Sequence, residues 1–211
     1  MKYDSIGFDL DGTLWNALDA ITESWVKTSI KYNEAVPNKE QVASALGLNK
    51  IDLMNKLYPD MPYEKQMMFF DEAAELCNTI LAEKGGILFD KLEETIEKLS
   101  KHFKLYIVSN CQDGYIEAFF KAHKLEKYFC DYEHPGKRCI SKGENIKAVI
   151  KRNGFKSSIY IGDTQGDADA AKYAGIPFIF ASFGFGKVNS PDYVISSYSE
   201  LSEIVCKQKQ G

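Results

Sequence analysis

Apolar residues occur along the chain in two patterns, short continuous runs and longer stretches with helical spacing. The short runs end in polar or glycine-containing turns, which predicts buried β-strands. We predict strands over residues 5–8, 103–108, 128–132, 158–161, 177–181 and 193–195. Helical spacing between them predicts helices over residues 90–102, 113–123, 141–152, 167–173 and 198–206. This alternation indicates an α/β fold with a doubly wound parallel sheet.

Residues 15–85 have a different pattern, with helical periodicity throughout and no convincing strand. Helices are predicted there over residues 15–32, 38–46, 50–58 and 63–84. A proline-containing loop precedes the last of these helices, and a pair of glycines ends it. We therefore predict an α/β core formed by residues 1–14 and 86–211, with residues 15–85 inserted as a helical cap domain.

Composition and charge narrow the classes of function. The formal net charge is −4 with acids and bases interspersed, which gives no reason to expect nucleic acid or an anionic membrane as a partner. No apolar run approaches membrane-spanning length, and no signal pattern opens the chain. The five cysteines form no CxxC pair, which favours reduced thiols and predicts a cytoplasmic protein. His102, His123 and His134 show no ligand spacing and are expected at the surface.

Two carboxylates follow the first predicted strand. Asp9 and Asp11 are spaced i, i+2 and start out on the same side of an extended strand, and Gly12 allows the chain to turn. Like charges this close repel unless a cation or a proton lies between them. A calcium loop would need a Glu where Ala20 stands, so that interpretation fails. An ordinary Asp–Gly turn and a carboxylate nucleophile with a neighbouring acid/base remain equally open on this motif alone.

Further polar residues follow other predicted strands, where ligands bind in doubly wound sheets. Ser109 and Asn110 follow the strand over 103–108, and Asp163 and Asp167 follow the strand over 158–161 with a spacing that lets both face one point. Lys142 opens a helix on the same edge. Each of these residues also has an ordinary interpretation. The two acids could cap a helix, Lys142 could be a solvated surface lysine, and Ser109 could belong to a strand-end turn. Together these oxygen ligands suit Mg²⁺ and a substrate phosphate.

Phosphoryl transfer at this edge of the sheet assigns a role to each group. Asp9 would attack phosphorus, and Asp11 would protonate the leaving oxygen and later deprotonate a water. Mg²⁺ and Lys142 would offset the charge of the phosphoryl group. Hydrogen bonds from Ser109 and the Asn110 backbone would bind its oxygens.

In sequence order these motifs resemble those of the haloacid dehalogenase superfamily of Mg-dependent phosphatases. The residues that carry the resemblance are Asp9-Leu10-Asp11-Gly12-Thr13, Val108-Ser109-Asn110, Lys142, and Gly162-Asp163-Thr164 with Asp167. The resemblance covers essentially the whole chain, including a helical cap. It implies an aspartyl-phosphate formed on Asp9, Asp11 as acid/base, and Mg²⁺ held by Asp9, the Asp11 carbonyl and Asp163. Asp167 is implied as a further ligand or as support beside the ion.

Within the superfamily the chain most resembles the phosphoglycolate phosphatase-like group, which implies a small phosphorylated metabolite as substrate. Two departures concern substrate choice. Trp15 opens the Trp-Asn-Ala stretch that stands where the group usually has Val-Asp-Ser, and the cap loop keeps Gly47 but has Lys50 where an Arg is usual. These three residues are predicted to influence specificity. Lys137 is a weaker alternative to Lys142 as the motif lysine.

Other functions within and outside the superfamily stay open. A phosphosugar mutase would use a cap histidine, and residues 15–84 contain none. A dehalogenase would lack the counterpart of Asp11. A nucleotidase remains an alternative because the sequence does not identify the substrate. A non-catalytic phospho-accepting domain is disfavoured by Asp11, which is placed to discharge a phosphoenzyme, and by the inserted cap.

Overall fold

The computed structural model of the chain describes residues 2–135 and 140–206. Its strands are β1 (Ser5–Phe8), β2 (Trp15–Asn16), β3 (Ile87–Leu88), β4 (Lys104–Val108), β5 (Phe129–Glu133), β6 (Ser158–Gly162), β7 (Phe178–Ala181) and β8 (Tyr193–Ile195). Its α-helices are α1 (Leu18–Tyr32), α2 (Lys39–Ala43), α3 (Lys50–Leu57), α4 (Tyr63–Lys84), α5 (Leu92–Ser100), α6 (Tyr115–His123), α7 (Lys142–Asn153), α8 (Gln165–Ala174) and α9 (Leu201–Cys206). Lys137 and Cys139 lie outside the described residues.

Six strands form a parallel sheet in the order β5-β4-β1-β6-β7-β8. β1 lies between β4 and β6, and Phe8 pairs with Ile107 on one side and Ile161 on the other. Because all these strands are parallel and in this register, their carboxyl ends lie at one edge of the sheet. The predicted doubly wound parallel sheet is confirmed.

Two apolar layers cover the two faces of the sheet. Along β4, Tyr106 and Val108 pack on one face with apolar residues of α7 and α8, while Leu105 and Ile107 join the larger cluster on the other face. This alternation follows from the two-residue repeat of a strand. A strand buried on both faces reads as a continuous apolar run, which is why these strands were visible in the sequence.

The segment between β2 and β3 folds into the four helices α1 to α4. α1 packs along α4, and Trp25, Tyr58 and Phe69 form an aromatic cluster between the helices. The predicted ends of α4 agree with the structure. The predicted α2 helix is shorter than expected and is capped by Asn38, whose side chain accepts from the Gln41 backbone N–H.

One prediction in this segment was wrong. Trp15–Asn16 does not extend α1, which begins at Leu18, but forms a strand that pairs antiparallel with Ile87–Leu88. These short strands connect the helical segment to the sheet. Their pairing joins residues far apart in sequence, so no local periodicity indicates it.

The sequence analysis predicted that all three histidines lie at the surface, and this prediction was wrong for His123. Its ring packs half-buried against Trp15 and Phe119, with centroids 5.6 and 5.5 Å away. His102 is exposed, as expected, and His134 is half-buried.

Cysteines 77, 111, 130 and 206 are free thiols. Among the described residues, no helix combines the length and apolarity needed to cross a membrane.

Candidate active site

Three of the predicted acids meet at the carboxyl edge of the sheet. Asp9 directly follows β1, and its backbone N–H donates to the Ile161 carbonyl at 2.8 Å. Asp9, Asp163 and Asp167 are buried, and each offers a carboxylate oxygen within 4.8 Å of the others. Segments more than 150 positions apart therefore converge on one point, as expected from parallel strands.

Lys142 lies between two of these carboxylates. Its Nζ donates to Asp9 Oδ1 at 2.7 Å and to Asp167 Oδ1 at 2.5 Å. Burial by itself lowers the pKa of Lys142, but the charges of Asp167 and Asp9 outweigh it and raise that pKa above its ordinary value. The ammonium therefore stays charged at neutral pH. Ser141 places it by capping α7 through the Glu144 backbone N–H.

Asp163 is held on one oxygen only. Its Oδ2 accepts from the Phe185 backbone N–H at 2.7 Å, whereas its buried Oδ1 has no hydrogen-bond partner among the described residues. A side chain at Gly12 would collide with it, since an added Cβ would lie 2.2 Å from Asp163 Oδ2. The loop that follows β7 approaches it equally closely: a Cβ on Gly184 would lie 2.3 Å from Asp163 Cβ.

The electrostatics of the cluster fit a divalent cation. Burial, followed by the charges of Asp9 and Asp167, raises the pKa of Asp163 to about 8. Burial and the charge of Asp167 likewise raise the pKa of Asp9 to about 6, against the opposing effect of Lys142. Among the described residues, three carboxylates cluster beside the Lys142 ammonium, and the buried Asp163 Oδ1 has no hydrogen-bond partner. A hard cation with oxygen ligands would satisfy both the excess charge and that oxygen.

Asp167 holds its neighbours in place. Its Oδ2 accepts from the Thr164 backbone N–H at 2.9 Å and from Thr164 Oγ1 at 2.7 Å, while its Oδ1 accepts from Lys142. Both oxygens are thus engaged. Asp167 thus links Thr164 and Lys142 through its two carboxylate oxygens.

Asp11 lies next to the three-acid cluster without belonging to it. Its Oδ1 accepts from the Tyr115 hydroxyl at 2.7 Å and from the Trp15 indole N–H at 3.0 Å. Burial raises the pKa of Asp11 to about 7, helped by the charge of Asp9 and opposed by the hydrogen bonds from Tyr115 and Trp15. A carboxyl group with this pKa exchanges a proton near neutral pH.

The helical segment reaches the edge of the site through one loop. The Asn110 side-chain amide donates to the Gly47 carbonyl at 3.1 Å, and Ser109 is buried at the end of β4. Gly47 has φ +81°, and a Cβ there would lie 3.4 Å from Thr164 Cγ2. The loop between α2 and α3, residues 44–49, is called the Gly47 loop. It therefore contacts Asn110, next to Ser109, and Thr164, next to Asp163.

The other two predicted specificity residues make different contacts, Lys50 away from the site and Trp15 within it. Lys50 Nζ lies 2.5 Å from Asp71 Oδ1 and 4.7 Å from the centre of the Phe70 ring, so its charge is paired within the helical segment. Trp15 has no exposed surface and reaches the site through its hydrogen bond to Asp11.

Sequence reasoning missed two contributors to the site, Tyr115 and the Phe185 backbone. Tyr115 is the first residue of α6 and lies 104 positions from Asp11. Phe185 follows β7 within a Gly-Phe-Gly stretch, whose glycines were the only signal of a close backbone approach.

Comparisons with known proteins agree with this geometry. The family model of haloacid dehalogenase-like hydrolases matches residues 6–181. A phosphoglycolate phosphatase from Aquifex aeolicus is 28% identical over 206 residues, covering 94% of this chain and 94% of the relative. The phosphoglycolate phosphatase of Escherichia coli K12 is 21% identical over 234 residues, covering 93% of this chain and 90% of the relative.

The fold has counterparts among solved structures as well. A haloacid dehalogenase-like hydrolase from Streptococcus pneumoniae superposes with a TM-score of 0.85 at 19% identity, covering 97% of this chain and 99% of the other. The resemblance in fold therefore extends over the sheet and the helical segment together.

Proposed function

This chain belongs to the haloacid dehalogenase-like hydrolase family, and we propose that it is a phosphatase acting on small phosphomonoesters. The observation that carries the proposal is the meeting of Asp9, Asp163 and Asp167, with the Lys142 ammonium on Asp9. A reactive carboxylate beside a cation site is the arrangement that phosphoryl transfer through an aspartyl-phosphate requires.

In the first step, Asp9 attacks phosphorus as the bond from phosphorus to the leaving oxygen breaks. The proton of Asp11 passes to that oxygen, so the product alcohol leaves neutral. Lys142 keeps Asp9 ionised and positioned for attack, since its ammonium lies 2.7 Å from Asp9 Oδ1.

In the second step, water attacks the aspartyl-phosphate. Asp11, ionised by the first step, takes a proton from that water, and Asp9 is released together with inorganic phosphate. The pKa of about 7 at Asp11 suits a group that must give and then take a proton at neutral pH.

A divalent cation, in our proposal Mg²⁺, would be held by Asp9, the Asp11 carbonyl and Asp163, with Asp167 beside it. When bound, it supplies positive charge against the phosphoryl oxygens. Lys142, the Ser109 hydroxyl and the Asn110 backbone N–H would bind those oxygens from the protein side.

We further propose that residues 15–85 act as a cap over a core formed by residues 1–14 and 86–211. The contact between Asn110 and Gly47 supports this role, because it brings the segment onto the edge of the site. A closed cap would exclude bulk water from the reacting groups.

The substrate proposal follows the sequence relatives. Those from Aquifex aeolicus and Escherichia coli carry the name phosphoglycolate phosphatase, so phosphoglycolate heads the set of small phosphorylated metabolites to be tested. The position of Lys50, paired with Asp71, gives no cationic clamp for a second anionic group of the substrate. Neutral sugar and polyol phosphates therefore belong in the same set.

The test is a screen of phosphomonoesters with Mg²⁺ and with EDTA, on the wild-type protein and on Asp9→Asn. We expect metal-dependent release of inorganic phosphate, reduced more than about 1,000-fold in Asp9→Asn. Asp169→Asn, an exposed carboxylate on α8, is the matched control and should keep full activity. Full activity of Asp9→Asn would overturn the proposal, and a phosphorylated Asp9 that persisted for hours would favour a phospho-accepting signalling domain.

A further inference from the structure

We propose that Tyr115 is a positioning residue for Asp11, which assigns the two oxygens of that carboxyl group to different tasks. The inference rests on the proposed phosphatase function and deepens it. Tyr115 belongs to none of the motifs at the strand ends, and it reaches Asp11 from the first residue of α6.

The argument begins with two hydrogen bonds to one atom. The Tyr115 hydroxyl donates to Asp11 Oδ1 at 2.7 Å, and the Trp15 indole N–H donates to the same oxygen at 3.0 Å. An indole N–H is a donor only, and a protonated carboxyl group carries one hydrogen. With the Tyr115 hydroxyl and the Trp15 indole both donating to it, Oδ1 has its two lone pairs engaged, so the geometry assigns the proton of neutral Asp11 to Oδ2.

The contact between Tyr115 and Asp11 is shielded from bulk water. The Tyr115 side chain is 2% exposed, and its hydroxyl donates to Asp11 Oδ1 at 2.7 Å. In the proposed reaction Asp11 is neutral before the first step and ionised after it, and a phenol hydroxyl can donate to Oδ1 in both forms.

Tyr115 is packed between α4 and Trp15. Gly114 precedes it with φ +80°, and a Cβ there would lie 2.8 Å from Asn78 Nδ2, so the backbone passes close to α4 at this point. The Tyr115 ring meets the Trp15 ring edge to face, with centroids 5.6 Å apart and planes at 78°. Asp11 is thus fixed from two directions, by its own turn through Trp15 and by α6 through Tyr115.

The consequence concerns the leaving group. The proton on Oδ2 passes to the leaving oxygen as the bond to phosphorus breaks, and Oδ1 keeps its two hydrogen bonds throughout. Orientation of that proton matters for an alkoxide, which is a poor leaving group, and matters little for p-nitrophenolate, which leaves without protonation. The fall in kcat/KM on removing the Tyr115 hydroxyl should therefore depend on the substrate.

The experiment compares kcat/KM for an alkyl phosphomonoester and for p-nitrophenyl phosphate in wild type and Tyr115→Phe, which removes only the hydroxyl. kcat/KM includes the steps up to release of the leaving group, so hydrolysis of the phosphoenzyme does not enter it. We expect a loss of about 10-fold or more on the alkyl substrate and less than about 3-fold on p-nitrophenyl phosphate. Tyr58→Phe, a buried tyrosine whose hydroxyl pairs with Ser29 Oγ at 2.7 Å, is the matched control and should lower neither value.

A second measurement tests the contact without turnover. The chain has two tryptophans, and Trp25→Phe assigns the two indole N–H resonances. Because Tyr115 and Trp15 share Asp11 Oδ1, Tyr115→Phe should shift the Trp15 indole signal, and Tyr58→Phe should leave it in place.

The outcomes separate this inference from the proposed function. Equal losses on both substrates, no loss on either, or an unmoved Trp15 indole signal would overturn the positioning role while Asp9-dependent hydrolysis stood. Absence of phosphomonoester hydrolysis by the wild-type protein would overturn the phosphatase function, and the role of Tyr115 with it.

Discussion

Lys142 and Asp9 lie 133 positions apart in the chain, and the Lys142 ammonium donates to Asp9 Oδ1 at 2.7 Å with both side chains buried. A second bond from the same ammonium reaches Asp167. Removal of the lysine would leave two carboxylates in a desolvated site without their protein cation, which is more costly than the loss of an exposed ion pair.

Lys142→Met should therefore lower the free energy of unfolding by about 3 kcal/mol at pH 8 in EDTA. The loss should be smaller at pH 5, because Asp9 can then take up a proton. Denaturant unfolding at the two pH values measures both effects. Lys151→Met, an exposed lysine on the same helix, is the control and should change stability by less than about 0.5 kcal/mol. Equal losses for the two variants would contradict the buried pairing.

Stability of the metal-free protein should fall as pH rises. Asp9, Asp11 and Asp163 have pKa values near 6, 7 and 8, above the ordinary 3.8, so the folded protein binds more protons than the unfolded chain between about pH 4 and pH 8. The free energy of unfolding then decreases with pH across this window. Urea unfolding in EDTA at pH 5 and pH 8 measures the difference.

Addition of Mg²⁺ should reverse that loss, with a larger gain at pH 8 than at pH 5, because protons compete with the cation for the carboxylates. Asp163→Asn should raise stability in EDTA at pH 8 and should abolish the gain from Mg²⁺. Asp169→Asn serves as the exposed-acid control. A metal-free stability that increased from pH 5 to pH 8 would be inconsistent with the buried acid cluster.

Gly12→Ala should disable the site by displacing Asp163. The glycine has φ +78°, and a Cβ would lie 2.2 Å from Asp163 Oδ2. Gly154→Ala is a control for the backbone alone, since Gly154 has φ +68° with nothing within 4 Å of the added Cβ. We expect each substitution to cost about 1 kcal/mol for the left-handed backbone, and only Gly12→Ala to lose Mg²⁺ stabilisation and hydrolysis. Retention of both by Gly12→Ala would count against this packing.

Asn110→Ala should weaken the contact between the Gly47 loop and the end of β4 while preserving the backbone N–H proposed to bind phosphate. The side-chain amide donates to the Gly47 carbonyl at 3.1 Å, and one such bond contributes about 1 kcal/mol. We expect kcat/KM to fall by less than about 10-fold and amide exchange in the Gly47 loop to accelerate. Asn153→Ala, which loses amide bonds at the far end of α7, should change neither. Unaltered amide hydrogen exchange in the Gly47 loop would show that the Asn110 side chain does not hold this loop in place.

The amino-acid sequence determined the architecture and the acidic cluster. Strands such as β1 and β6 are continuous apolar runs that end in Asp9 and Asp163, and a parallel sheet necessarily brings such ends to one edge. The apolar runs and the acids that follow them are both local features of the sequence. The order of the motifs was therefore sufficient to predict which carboxylates converge.

Tertiary structure alone decided the contacts that depend on how distant segments pack. It placed Tyr115 on Asp11, paired Lys50 with Asp71, packed His123 against Trp15, and joined β2 to β3. Each of these depends on the spacing between surfaces brought together from separate parts of the chain. No periodicity or motif encodes that spacing, because it emerges only when the helices settle against the sheet and against one another.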